Sequence, residues 1–141
     1  MDLPFQIVTD GPAETEALGA SLAELLKPGD CVMIEGDLGA GKTVFVRGAL
    51  RALGITGPVT SPTFTLAMRY DGARIPASHI DLYRLADGMP GEDPGVLEGE
   101  FAPDRVVFIE WPERLGPVSP NGTHYVQIEH LTENSRKIAV S

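Results

Sequence analysis

Apolar and polar positions along this chain change period several times, and each change marks a predicted element. Phe5-Gln6-Ile7-Val8 begins by alternating apolar and polar side chains, the period-two signature of a short strand. Asp10-Gly11-Pro12 then supplies a capping candidate and a proline near a first helical turn. Residues 13–26 follow with Leu18, Leu22, Leu25 and Leu26 at helical spacing, and Pro28-Gly29 ends the helix. Cys31-Val32-Met33-Ile34 is apolar on both faces, as a central parallel strand requires, and Glu35 closes that run. Residues 44–53 return to the helical period through Phe45, Val46, Ala49, Leu50 and Leu53, with Gly54 as the stop.

Beyond that point the pattern is strand and turn. Residues 65–70 and 75–82 flank Asp71-Gly72, which predicts a hairpin. Residues 87–104 hold four glycines and three prolines among several acids, and predict a loop with no more than a helical turn around Val96-Leu97. Val106-Val107-Phe108-Ile109 is a second continuous apolar strand, running into Glu110-Trp111-Pro112. A proline-rich turn at 117–120 leads to strands at 125–128 and 137–140, read as a closing hairpin. No repeat, low-complexity tract or linker divides the 141 residues, so 1–141 is read as one domain. Its class is α/β: three layers, α/β/α, with a mostly parallel central sheet and antiparallel C-terminal strands.

Composition narrows the function classes. No stretch approaches the ~20 apolar residues that span a membrane. Met1-Asp2-Leu3-Pro4 lacks the basic and apolar regions of a secretory signal, so the expected location is the cytoplasm. The single cysteine, Cys31, sits inside an apolar run and reads as core, leaving no disulfide framework. A formal net charge of -9, with 11 scattered basic residues against 20 acids, disfavours direct gripping of nucleic acid.

The chemistry is concentrated between the first apolar strand and the second helix. Gly36, Gly41, Lys42 and Thr43 satisfy G-x-x-x-x-G-K-[ST], a pattern that a random chain of this length meets roughly once in a few hundred. Glycines let the backbone turn its N–H groups inward around phosphate oxygens. Lys42 brings a compact positive charge to the outer phosphates, and the Thr43 hydroxyl is a hard oxygen donor suited to Mg²⁺. The helix that starts there adds the positive end of its dipole. The motif therefore predicts a nucleotide site of the P-loop type.

Such a site needs a carboxylate at the end of a neighbouring strand. Glu110 follows four apolar residues and is the favoured metal-side group; Asp81, on a less apolar strand, is second, and either could orient water. A surface pairing of Asp81 with Arg84 is the plainer alternative, and Arg84 is also a candidate charge-stabilising finger. Thr63, in Ser61-Pro62-Thr63-Phe64, lies where nucleotide-sensing segments sit, although a proline turn accounts for it locally. His79 reads as a strand residue with a satisfied hydrogen bond, and Trp111 as packing for the strand end that also shields the site.

Four segments taken together resemble one family. Gly36 through Thr43, Ser61-Pro62-Thr63-Phe64-Thr65-Leu66, His79-Ile80-Asp81-Leu82-Tyr83-Arg84-Leu85 and Ile109-Glu110-Trp111-Pro112 occur in the order and spacing of the bacterial tRNA threonylcarbamoyladenosine biosynthesis ATPases, TsaE. The resemblance runs from about Thr15 to Pro112 and fades beyond. It implies ATP and Mg²⁺ as cofactors and the proteins TsaD and TsaB as partners. By similarity, Thr43 and Glu110 hold the metal, and Gly39, Ala40, Gly41, Lys42, Thr43 and Val44 contact ATP phosphates. Asp81 and Thr63 are tied to hydrolysis and sensing, with Asp10, Thr15 and Arg136 as adenine-side matches. Two other classes stay open on the residues alone: a small-molecule kinase on a P-loop core, and a nucleotide-gated binding module. The acidity of 87–104 argues against the basic lid a kinase needs, and no Asn-Lys-x-Asp segment favours guanine.

Overall fold

The computed structural model describes residues 1–37, 39–59, 67–72, 74–83, 102–113 and 123–141. Within them the elements run β1 (Phe5–Thr9), α1 (Pro12–Ala23), β2 (Cys31–Gly36), α2 (Lys42–Ala52), β3 (Ala67–Tyr70), β4 (Ala77–Asp81), β5 (Val106–Glu110), β6 (His124–His130) and β7 (Arg136–Val140). The strands form one sheet in the order β1-β7-β6-β2-β5-β4-β3. β2 lies between β5 and β6 and is parallel to both, and β4 is parallel to β5. The pairs β1–β7, β6–β7 and β3–β4 are antiparallel. The middle four strands are parallel, as expected of the centre, and antiparallel pairs lie at both margins, where the sequence expects the 65–70/75–82 hairpin and the C-terminal strands. Connections as short as 71–76 or 131–135 fold back as hairpins. Both hairpins lie where the turn residues predict them. β1 also joins the antiparallel margin, which its own sequence does not announce.

Alternate residues of the central strands feed two apolar clusters. Val32, Ile34, Phe108, Val126 and Ile138 meet Leu18, Leu22, Phe45 and Leu50 of the helices. On the opposite face Cys31, Met33, Ile80, Leu82, Val107 and Ile109 pack together. Both helices among the described residues lie against the first cluster, so a helical layer on the second face is not found among the described residues. Cys31 is core as expected, and burial pushes its thiol up to about 12.

The leucine spacing anticipates only part of the inner face of α1. Leu18, Leu22 and Leu26 are buried, but Leu25 is 37% exposed, because the helix ends at Ala23 and the register is lost beyond it. The contact between the helices is made by glycine. A Cβ on Gly19 would overlap the Phe45 carbonyl oxygen, and one on Gly48 would overlap that of Glu16. The two helices therefore pack nearly backbone to backbone, with Arg47 paired to Glu16 at 3.1 Å beside the crossing. At the start of α1 the cap is Gly11 with no side-chain bond, and Asp10 does not cap it; Glu14 Oε2 instead accepts the Asp10 N–H at 2.6 Å.

Candidate functional site

The turn from β2 into α2 builds the glycine-rich loop from two distinct uses of glycine. Gly39 (φ 81°) and Gly41 (φ 104°) occupy the left-handed region with open space around them, so conformation demands them. At Gly36 the demand is spatial, since a Cβ there would lie 2.7 Å from the Ile128 carbonyl oxygen. Leu38 lies outside the described residues.

Lys42 is nearly buried and folds back on this loop. Its Nζ donates to the carbonyls of Gly36 (2.7 Å) and Asp37 (2.8 Å) and sits 4.5 Å from the centre of the Trp111 ring. Burial pulls the ammonium pKa down, while Glu110, Asp81, Asp37 and Glu113 oppose the shift. Trp111 follows β5 in a left-handed conformation (φ 61°), which costs an L residue about 1–2 kcal/mol. That turn brings its ring to 5.2 Å from Tyr83 and over the lysine.

Glu110 ends β5 almost fully buried. Its Oε2 accepts from Thr43 Oγ1 at 3.0 Å and lies 2.5 Å from His79 Nε2. In the parallel β4–β5 register Asp81 stands opposite Glu110. Asp81 accepts the Tyr83 N–H at 3.0 Å. Burial raises the Asp81 carboxyl above its ordinary value; the Tyr83 N–H opposes this, Glu110 adds to it, and His79 and Lys42 oppose it. The β4 strand, less apolar in sequence than β5, is nonetheless buried from Ala77 through Ile80. Two of its polar members meet partners there: Arg105 reaches the Ser78 hydroxyl at 3.4 Å, and His79 Nε2 meets Glu110.

Two hollows flank the loop. The first, about 410 Å³, is lined by Lys42, Thr43, Asp81, Tyr83, Glu110 and Trp111, with Gly39, Gly41 and Val44 on its loop side. The second, about 170 Å³, is lined by Gly11, Pro12, Thr15, Glu133, Asn134 and Arg136, with Gly39, Ala40, Gly41 and Val44. Arg136 braces the loop from β7: its Nε donates to the Ala40 carbonyl at 2.9 Å and one terminal nitrogen to Gly39 at 3.5 Å. The Thr15 hydroxyl meets that of Thr9 at 2.9 Å. A larger hollow of about 450 Å³ between β1 and α1 contains no comparable charged constellation.

The sequence-predicted residues therefore divide. Lys42, Thr43, Asp81 and Glu110 converge on the first hollow, while Thr15 and Arg136 line the second. Asp10 stands one residue outside the second hollow, whose lining begins at Gly11. Thr63 and Arg84 lie outside the described residues. Sequence reasoning missed Tyr83, Glu133 and Asn134 as lining residues; their place depends on Trp111 and on the β6–β7 turn, which no local pattern reveals.

The donor set fits a hard cation shared with a ligand. Thr43 Oγ1 and Glu110 Oε2 converge within 3.0 Å, with Asp81 on the same hollow. Among the described residues no group of three or more His, Cys, Asp or Glu side chains could cage an ion unaided. One carboxylate and one hydroxyl suit Mg²⁺ completed by phosphates and water. Among the described residues, no helix is long and apolar enough to cross a membrane.

Residues 9–138 match the family described as threonylcarbamoyl adenosine biosynthesis protein TsaE, a span reaching further toward the C-terminus than the four motifs. The tRNA threonylcarbamoyladenosine biosynthesis protein TsaE of Bacillus subtilis is 38% identical over 92% of this chain and 80% of its own. The Aquifex aeolicus and Treponema pallidum proteins of the same name are 34% and 37% identical, over 99% and 97% of this chain and 98% and 100% of theirs. The crystal structure of Bacillus subtilis YdiB superposes with a TM-score of 0.79 at 32% identity, covering all of this chain and 88% of that one.

Proposed function

Because the chain belongs to the TsaE family of tRNA threonylcarbamoyladenosine biosynthesis proteins, we propose that it is the magnesium-dependent ATP-hydrolysing component of that machinery, acting on a TsaB–TsaD complex. One observation carries the ATPase reading: Lys42, Thr43, Asp81 and Glu110 face a single hollow at the N-terminus of α2. The backbone N–H groups of the loop and the helix dipole hold the phosphates. Lys42 exchanges the carbonyls of Gly36 and Asp37 for the outer phosphates. Thr43 and Glu110 are the residues that would hold Mg²⁺, which when bound offsets the charge developing on the transferred phosphoryl group.

The two carboxylates divide the remaining work. Oε2 of Glu110 already accepts from Thr43 and contacts His79, which suits a fixed metal-side group. Asp81 has its partner in the neighbouring Tyr83 N–H and lines the open hollow, which suits orienting a water. On this reading its raised pKa keeps it closer to a general base than an exposed carboxylate. Arg136, Thr15 and Asn134 form the side that takes the base and sugar.

The test is phosphate release from ATP by the purified chain, with and without Mg²⁺ and with purified TsaB and TsaD. Magnesium-dependent release raised by the partner pair is expected. A phosphorylated small metabolite in place of free phosphate would transfer the assignment to a kinase. Partner binding that tracks nucleotide without any turnover would make the protein a nucleotide-gated module.

A further inference from the structure

His79 is a fully buried imidazole in contact with Glu110 and is not among the residues that line the first hollow. It sits two residues before Asp81 on β4, so both side chains leave the same face of the sheet. The β4–β5 register puts His79 opposite Phe108 and Asp81 opposite Glu110, which places the imidazole one step behind the carboxylate. Nε2 lies 2.5 Å from Glu110 Oε2, the oxygen that also takes the Thr43 hydroxyl. Nδ1 has no partner among the described residues.

A buried ring whose described hydrogen bond goes to one carboxylate costs desolvation that a leucine of similar size avoids. In return it fixes the carboxylate. With Thr43 on one side and His79 behind, Glu110 has two donors on one oxygen and little freedom to rotate. Its approach to any ligand of the hollow is set before the ligand arrives. The ring nitrogen facing the carboxylate is then the one that carries the proton, because two acceptors would repel at this distance.

We propose that His79 is a positioning residue for Glu110: the Nε2–H holds the carboxylate in its metal-binding orientation, so magnesium-assisted nucleotide affinity depends on a group that never touches nucleotide. This rests on the reading of Glu110 as a metal-side group and goes beyond it by naming what fixes that group.

The experiment measures ADP dissociation constants by calorimetry in MgCl₂ and in EDTA, with thermal melts to verify folding. The ratio of the two constants is the magnesium enhancement. His79→Leu is expected to lower that enhancement by about tenfold or more while leaving the EDTA value unchanged. His79→Gln, whose amide N–H reaches the place of Nε2, is expected to restore most of it, and the shorter His79→Asn is not. A folded His79→Leu protein with the wild-type enhancement overturns the proposal. If that variant does not fold, the Gln and Asn variants decide, and equal enhancement in the two overturns it. Glu110→Gln separates the layers: if it retains the wild-type enhancement, the metal reading of Glu110 has failed; if it loses it and His79→Leu does not, only the role of His79 has.

Discussion

The two hollows share one loop and are built on different terms. The first gathers Lys42, Asp81 and Glu110, two of them delivered at the aligned ends of parallel strands. The second is made by the start of α1 and the β6–β7 turn, and Arg136, the one cation among its described lining residues, is taken up by carbonyls of Gly39, Ala40, Thr132, Glu133 and Ser135. Opposite charges gathered around one space respond when charge moves on a ligand. A guanidinium spread over five backbone carbonyls instead fixes shape and hydrogen-bond pattern. Catalysis and recognition should therefore separate by mutation, with the loop as their common hinge.

The sharpest way to break this division is Lys42→Ala. Removing a buried charge-assisted contact to phosphate should weaken ATP binding about 100-fold, the order of 2–3 kcal/mol; an unchanged dissociation constant in calorimetry would refute the assignment of the hollow. Next comes Glu110→Ala, for which magnesium-dependent turnover should fall about 100-fold, the order lost with one preorganised electrostatic group. Its ADP affinity in EDTA should stay within a factor of about two. Parallel losses in both quantities would erase the distinction between the hollows.

Arg136→Ala probes the hinge itself. Without its bonds to Gly39 and Ala40 the loop loses a brace, and ADP affinity should drop about tenfold, equally with and without Mg²⁺. A purely magnesium-dependent loss would place Arg136 with the first hollow instead. The smallest effect is on stability. The folded-state pKa of Asp81 is raised, so its ionised form costs stability at pH values above that pKa, and the cost vanishes where the carboxyl is protonated in both states. Asp81→Asn should abolish turnover yet raise Tm by a few degrees, about 2–4, near neutral pH. The gain should fade as pH falls toward ordinary carboxylate values, and a gain that instead grew in acid would contradict the burial of this group.

The loop and α2 were legible in the sequence because everything that specifies them is local: an apolar strand, glycines at fixed offsets, then helical spacing. The hairpins were legible for the same reason at Asp71-Gly72 and between 125–128 and 137–140. What stayed hidden depends on register between distant segments. Asp81 was ranked below Glu110 because its strand is less apolar. The polar side chains of Ser78 and His79 are buried there against Arg105 and Glu110, far along the chain. The Gly19–Gly48 crossing was equally invisible, since glycine inside a helix reads locally as a weakness. Asp10 was the capping candidate by its chemistry and an adenine-side match by similarity, whereas Gly11 makes the cap and lines the hollow.

The pairing of β1 with β7 has a consequence for how such a protein comes into being. Phe5 finds Val140, and Thr9 finds Arg136, across nearly the whole chain. A ribosome releases the phosphate loop early, but the arginine that braces it emerges about a hundred residues later. A nascent chain can thus display the motif without owning the site. On the proposed function, nucleotide would be a late ligand, one that selects finished molecules over partly made ones and adds its binding energy to the closing of the sheet.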